Sequence, residues 1–184
     1  GNITTIGKVS PLSEPPVDLT NVVDLASSRD HAVALRRDGT VIVWGNGNNN
    51  RFGKLTVPQG LTNITAVEVA CDSCFAIRSN GTVAAWGMDR MPVGASNLIA
   101  VSASTSWFSR LRVALGRDGT VIEWVRQPPK ATPHVGLSNV VAISSGAVHN
   151  LGLKKDGTVE AWGSNAYGET KVPAGLSNVV AIAA

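Results

Sequence analysis

A four-residue motif that returns at near-constant spacing is the feature that most constrains what this chain can fold into. The motif Asp/Asn-Gly-Thr-Val begins at residues 38, 80, 118 and 156, so its steps are 42, 38 and 38 residues. A tryptophan follows six residues after each start, as Trp44, Trp86, Trp124 and Trp162. Self-similarity at a period of about 40 residues is typical of repeat architectures, in which each unit is one supersecondary motif.

Each unit has the pattern of three short strands. In the last full unit, residues 140–143 form an apolar run, and residues 149–153 alternate large and small side chains with the period of a strand. Asp156-Gly157 predicts a two-residue hairpin turn, and residues 158–162 predict the returning strand. No window has a convincing helical period. Strand units at this spacing predict an all-β fold, a β-propeller.

The repeats set the predicted organisation, which is one repeat domain over residues 1–184. Residues 1–20 form a degenerate partial blade, 21–62, 63–96, 97–138 and 139–177 are the repeats, and 178–184 start a fifth. We expect the four repeat tryptophans to fill the space between blades. His31 and His149 share one repeat position that Ser73 and Leu111 occupy in the other units. A position that tolerates leucine indicates a structural role.

Composition and motifs exclude several functions. Charged residues are only 16% and hydrophobic residues 43%, which argues against disorder. The net charge of +3 comes without a basic run, so we expect no nucleic-acid partner. No segment approaches about 20 apolar residues, so we expect no membrane insertion. Cys71 and Cys74 form a lone Cys-x-x-Cys, which leaves a local disulfide, two free thiols or a zinc ion shared between subunits. We predict no cofactor, no metal and no enzymatic activity.

Residues 139–168 carry the densest motif. They read Asn-Val-Val-Ala-Ile, then His-x-Leu-x-Leu-Lys-x-Asp-Gly-Thr-Val-x-Ala-Trp-Gly-Ser-Asn-x-Tyr-Gly. This pattern resembles the regulator of chromosome condensation repeat, and residues 172–180 resemble its bacterial versions. The resemblance covers about residues 16–184. It implies a seven-bladed β-propeller. Members of that family include a guanine-nucleotide exchange factor, a plant light sensor and a secreted bacterial inhibitor of β-lactamases, so the resemblance implies a scaffold without a shared chemistry.

Seven such units would exceed the 184 residues of this sequence. We therefore expect an incomplete ring. The chain is a fragment of a longer protein, or a second chain completes it, or it closes on itself as a ring of four or five blades. An open array would expose sheet edges, which favours association. Localisation stays open, with an extracellular or cell-surface bacterial setting as the expectation.

The predicted binding surface lies at the end of the blades where loop lengths vary. The Asp-Gly turns keep a constant length, whereas the loops at the other end gain or lose residues, as binding loops commonly do. Residues 104–110 hold a four-residue insertion with Trp107, the one tryptophan outside the repeat register. Its composition is typical of an interface hot spot, although Trp107 could instead fold over a neighbouring blade. The predicted protein-binding residues are Trp107, Phe108, Arg110, Arg51, Phe52, Arg90, Arg126 and Tyr167.

These observations favour a non-catalytic protein-binding module. Its partner would be another protein or further copies of itself. The first alternative is a structural subunit that assembles into a dimer, ring or filament through unfinished blade edges. The second, which the resemblance implies, is an inhibitor of a secreted enzyme such as a β-lactamase.

Overall fold

The computed structural model describes residues 15–47, 50–104, 106, 111–125 and 130–184, and the statements below concern these residues. The chain divides into two compact units, unit 1 over Gly1–Met91 and unit 2 over Pro92–Ala184. Regular structure in the described residues is all strand, apart from one short 3-10 turn at Arg51–Gly53. Within these ranges no helix has the length and apolar character needed to cross a membrane.

Four small antiparallel sheets follow one another along the chain, and the all-β prediction is confirmed. We call them blades 1 to 4. Unit 1 holds blade 1, which comprises β1 (Val22–Ser27), β2 (His31–Arg36) and β3 (Val41–Gly45), and blade 2, which comprises β4 (Ile64–Ala70), β5 (Ser73–Arg78) and β6 (Val83–Gly87). Unit 2 holds blade 3, which comprises β7 (Leu98–Ala103), β8 (Leu111–Gly116), β9 (Val121–Val125) and β10 (Ala131–Pro133), and blade 4, which comprises β11 (Val140–Ser145), β12 (His149–Lys154) and β13 (Val159–Gly163).

An asparagine with a left-handed backbone opens each repeat. The asparagine carbonyl accepts a hydrogen bond from the hairpin turn of its own blade, as in the 2.9 Å contact from Lys155 N to Asn139 O. This geometry needs a positive φ, which asparagine tolerates better than most residues. The five residues have φ angles of 55–58° and are Asn21, Asn63, Asn97, Asn139 and Asn178.

The Asp-Gly turns differ from the predicted two-residue form. In blade 4, Gly157 N donates to Lys154 O at 3.0 Å and Lys154 N donates to Thr158 O at 2.9 Å, which closes a three-residue loop. Gly157 has a φ of 79°, whereas Asp156 has no positive φ. The turn is therefore type I followed by a left-handed glycine, not type I′. Asp156 Oδ1 accepts hydrogen bonds from Thr158 N at 3.0 Å and Thr158 Oγ1 at 2.6 Å, and these lower the pKa of the carboxyl.

Each unit has its core between its two blades. Burying an aliphatic side chain contributes roughly 1.5–3 kcal/mol, so these contacts hold neighbouring blades together. In unit 1 the core includes Val33, Leu35 and Val41 of blade 1 with Val67, Val69 and Trp86 of blade 2. In unit 2 it includes Val113, Leu115 and Val121 of blade 3 with Leu137 of the link and Val140 and the half-buried Trp162 of blade 4.

A fourth strand extends blade 3. β10 pairs with β9 through Thr132 and Glu123, so this blade has one strand more than the three that the sequence predicted. Pro133 is compatible with this strand because β10 lies at the edge of its sheet, where a missing N–H breaks no ladder.

Candidate functional site

Two turns and two connecting segments meet at one end of unit 1. Asn46 N, after β3, donates to Asp30 O in the β1–β2 turn at 3.0 Å, and Met88 N, after β6, donates to Asp72 O in the β4–β5 turn at 2.9 Å. We call residues 28–30, 46–47, 50–57, 71–72 and 88–91 the loop end of unit 1. The Asp-Gly turns lie at the opposite ends of the strands. Three predicted binding residues, Arg51, Phe52 and Arg90, belong to this loop end.

A buried lysine lies at the centre of the loop end. Lys54 Nζ donates to Asp30 Oδ2 at 2.7 Å and to Asp72 Oδ1 at 2.6 Å, and all three residues are buried. Burial by itself lowers the pKa of Lys54, but the hydrogen bonds and charges of Asp30 and Asp72 outweigh it and raise the pKa above its ordinary value. The ammonium group therefore stays charged. It ties the link between the blades to a turn of each blade.

His31 extends this network. Its Nδ1 lies 2.7 Å from Ser28 Oγ and 3.0 Å from Asp30 Oδ1, and its Nε2 lies 3.4 Å from Ser73 O in blade 2. The ring is fully buried. These contacts orient the Asp30 carboxylate toward Lys54. His149, at the same repeat position in blade 4, is half-buried.

Glycine after the repeat tryptophan permits this close packing. A Cβ atom at Gly87 would overlap the carbonyl oxygen of Asp72, and one at Gly45 would overlap that of Asp30. The Trp-Gly pair of blades 1 and 2 thus lets the outer strand pass next to the turn that carries each buried aspartate.

The thiols and carboxylates of the site do not form a metal centre. Cys71 and Cys74 are buried and form no disulfide with each other, so the structure has the two thiols that were one of the predicted alternatives. Burial raises the pKa of Cys74 to about 12, although the Lys54 charge lowers it. In the described ranges, no group of three His, Cys, Asp or Glu side chains is placed to hold a metal ion.

The 3-10 turn next to Lys54 presents an aromatic side chain on a fixed backbone. Lys54 O accepts a 2.9 Å hydrogen bond from Trp86 Nε1, and Asn50 Oδ1 accepts one of 2.9 Å from Leu55 N. Between these anchors Phe52 has a φ of 64°, which costs of order 1–3 kcal/mol for a bulky residue. Its ring is 45% exposed, and the Arg51 guanidinium lies over it at 5.2 Å. A strained backbone that exposes an aromatic ring indicates a functional constraint.

Unit 2 repeats the hydrogen bonds of this turn but not its strained backbone, because Tyr167 has no positive φ. Asn165 Oδ1 accepts a hydrogen bond from Thr170 N at 3.2 Å, and Gly168 N donates to Asn165 O at 3.4 Å, as Gly53 N does to Asn50 O at 3.2 Å. Tyr167 therefore occupies the position of Phe52, and it is 95% exposed. The sequence analysis named both aromatics but did not relate them. Both turns have the pattern Asn-x-aromatic-Gly. The two patterns align once one allows for the three residues that follow Trp44 in addition to those that follow Trp162.

The remaining predicted binding and repeat residues differ in their exposure. Arg90 is exposed, and its Nη1 donates to Gly87 O at 2.8 Å and to Asp89 O at 2.7 Å. Trp124 is buried and Trp44 is half-buried. The predicted binding residues Trp107, Phe108, Arg110 and Arg126 lie outside the described residues.

Serial antiparallel blades, each opened by a left-handed asparagine and joined by an apolar core to the other blade of its unit, define a repeat protein of the β-propeller class. The family model "Regulator of chromosome condensation (RCC1) repeat" matches residues 22–51 and 140–169, in blades 1 and 4. Blades 1 and 4 therefore match the RCC1 repeat in sequence. Blades 2 and 3, which the model does not match, have the same opening asparagine and the same hairpin turn.

Solved structures of other proteins, yeast RCC1 among them, share this fold. Yeast RCC1 (Prp20) in its complex with Kap60 is 18% identical, with a TM-score of 0.62 over 96% of this chain and 50% of that one. Prp20p from Saccharomyces cerevisiae is 18% identical, with a TM-score of 0.61 over 77% and 45%. Human WBSCR16 is 16% identical, with a TM-score of 0.62 over 77% and 47%.

These likenesses confirm the predicted propeller of RCC1-like blades. This chain spans about half the length of these three structures. At such identities the likeness establishes the fold alone. No curated protein matches the sequence.

Proposed function

We propose that this chain is a non-catalytic protein-binding module whose partner docks on the aromatic turns at the loop ends of its blades. The observation that carries the proposal is Phe52, an exposed ring on a strained and anchored turn, with Tyr167 at the equivalent position of unit 2. Related propellers support it, because Prp20p is described with binding properties to Gsp1p and histones and the yeast protein has been solved bound to Kap60.

Preorganisation gives these turns an energetic advantage in binding. Ordering a loop on association costs free energy, and a loop already held by its own hydrogen bonds avoids most of that cost. Lys54 and Asn50 hold the Phe52 turn in this way. Aromatic and arginine side chains supply most binding energy at protein interfaces. The predicted residues Trp107, Phe108, Arg110 and Arg126 remain part of the proposed surface.

A peptide selection tests the proposal without a known partner. The immobilised chain is used to select from a displayed library of random 16-residue peptides, and the affinity of an enriched synthetic peptide is then measured. Phe52→Ala should weaken the affinity of a peptide that binds unit 1 at least about 30-fold, and Tyr167→Ala that of a peptide that binds unit 2, because a hot spot contributes 2 kcal/mol or more. Phe52→Tyr, which keeps an aromatic ring, is the matched control. An absence of enriched peptides, or unchanged affinity in both alanine variants, would contradict the proposal.

Self-assembly is a second candidate function, favoured by residues 178–184. Val179 N donates to Gly157 O at 3.0 Å and Ala184 N donates to Ser144 Oγ at 2.9 Å. The first strand of blade 4 makes the same two contacts with blade 3, from Val140 N to Gly119 O and from Ser145 N to Ser102 Oγ. Residues 178–184 thus occupy the position of a further first strand, with Val180 93% exposed.

We propose that this segment pairs with strands of another copy of the chain. Light scattering should then give a mass of at least twice the 19.1 kDa of one chain. Val180→Pro should return the chain to a monomer, because proline removes a backbone donor from the strand pairing. A monomeric wild-type chain at 100 μM would rule out this second function. The aromatic turns would be unaffected by that result.

A further inference from the structure

We infer that the loop end of unit 1 binds an acidic segment of its partner protein. This inference rests on the proposed function and adds the chemistry of the partner. Its basis is that the loop end contains both acidic and basic residues, but only the basic ones are exposed to a ligand.

The acidic and basic residues of the loop end are separated by burial. Its aspartates, Asp30, Asp72 and Asp89, are 8%, 2% and 0% exposed. Both carboxylate oxygens of Asp30 are engaged by Lys54 and His31, and Asp72 binds Lys54. The exposed ionisable residues of the described loop end are instead Arg29, Arg51 and Arg90. A ligand therefore meets guanidinium groups, although the sequence holds nearly balanced charges.

Two of these arginines are oriented before a partner arrives. Arg90 bonds through one nitrogen to the carbonyls of Gly87 and Asp89, which leaves its remaining N–H donors for a carboxylate. Arg51 stacks over Phe52, an arrangement that keeps its planar fork in a defined direction. Guanidinium groups bind carboxylates through paired, charge-assisted hydrogen bonds.

The same surface favours a peptide over a nucleic acid. Extended nucleic-acid sites follow the phosphate backbone with a stripe of Lys and Arg, whereas this loop end exposes three arginines and the chain has a net charge of only +3 without a basic run. The exposed Phe52 ring beside Arg51 offers an apolar contact next to the charged ones. The ligand that fits is a segment in which Asp or Glu residues flank an apolar or aromatic side chain.

The random peptide library tests the inference through the composition of the enriched sequences and through two matched triple variants. Arg29→Gln/Arg51→Gln/Arg90→Gln removes three exposed charges at the loop end. Arg37→Gln/Arg117→Gln/Lys155→Gln removes three exposed charges beside the Asp-Gly turns and changes the net charge equally. An exposed ion pair changes an equilibrium constant roughly 1.4- to 5-fold, so the first variant should weaken binding of an enriched peptide about tenfold. The second should change it less than about threefold.

Each outcome decides between the two proposals. Enriched peptides rich in Asp and Glu that lose affinity only in the loop-end variant support the inference. Neutral or basic peptides that depend on Phe52 leave the proposed function standing and overturn the inference. Equal weakening in both triple variants, or tighter binding of a 20-nucleotide single-stranded DNA than of the best peptide, also overturns it. Absence of any enriched peptide overturns both proposals. If the triple variant fails to fold, Arg29→Gln/Arg51→Gln, which keeps the Arg90 contacts, replaces it with about two thirds of the effect on a logarithmic scale.

Discussion

Replacing Lys54 by methionine should strongly destabilise unit 1. Methionine keeps the length and apolar stem of the lysine but removes the ammonium that lies 2.7 Å from Asp30 and 2.6 Å from Asp72. Two buried carboxylates then lack their common partner, and Asp72 Oδ2 has no hydrogen-bond partner even in the native chain. Removing one member of a buried ion pair typically costs 3–5 kcal/mol. For a chain of this size that cost lowers Tm by roughly 6–20 °C.

Urea unfolding followed by tryptophan fluorescence measures this free energy. Lys155→Met, at an exposed lysine beside an Asp-Gly turn, should stay within about 0.5 kcal/mol of the wild type. The double variant Lys54→Met/Asp72→Leu should recover about 1–3 kcal/mol, because it removes the stranded carboxylate together with its partner. A loss below about 1 kcal/mol in Lys54→Met, or no recovery in the double variant, would refute the assignment of Lys54 as the anchor of the loop end.

The same network sets a pH window. Burial raises the pKa of Asp30, but hydrogen bonds from Lys54 and His31 outweigh it and leave the pKa below its ordinary value. Its contribution to stability is thus complete above about pH 4 and is lost as the pH falls further. The pKa of Lys54 is raised, so its contribution is complete below about pH 10.4 and is lost as the pH rises through the folded-state pKa. Lys54→Met should therefore reduce the change of the unfolding free energy with pH both below about pH 4 and above about pH 10.4.

Three further outcomes are expected. Asn139→Ala should cost about 1–2 kcal/mol in urea unfolding because alanine lacks the polar side chain with which asparagine tolerates a φ of 58°, whereas Asn139→Gly should be nearly neutral because glycine has no Cβ. Burial, reinforced by the charge of Asp24, raises the pKa of Glu68 to about 8, so the native state holds a proton that the unfolded state releases near its ordinary pKa. The unfolding free energy should therefore fall between about pH 4.5 and pH 8, and Glu68→Gln should abolish that fall. Cys71 and Cys74 should resist a thiol reagent in the native chain and react in denaturant, and rapid native reaction would contradict their burial.

Local signals were sufficient to predict the blades. Residues 140–143 and 149–153 lie within β11 and β12, because alternating apolar residues next to a turn specify a hairpin without help from distant contacts. The turn type was missed, since glycine supplies the left-handed residue both in a type I′ turn and in a type I turn with a following bulge. The Asp-Gly pair alone does not distinguish the two.

The centre of the candidate site was not predictable in the same way. A lysine in a polar loop normally indicates solvent exposure, and Lys54 is separated from Asp30 and Asp72 by 24 and 18 residues. Its burial follows from the packing of two blades, a tertiary effect that no local pattern encodes. Arg51 and Phe52 were predicted from loop composition, but the positive φ of Phe52 has no signal in the sequence, so its significance required the structure.

The clamp that the opening asparagine places on each hairpin has a consequence for how such proteins diversify. The opening asparagine clamps its own hairpin, whereas the connections at the other end hold 17 residues between Gly45 and Asn63 but only 9 between Gly87 and Asn97. Doubling the length of a flexible connection adds only about 0.6 kcal/mol of closure entropy. New segments can therefore be inserted after the outer strand at small thermodynamic cost, and one architecture can acquire different recognition specificities by exchanging these connections while its hairpins stay unchanged.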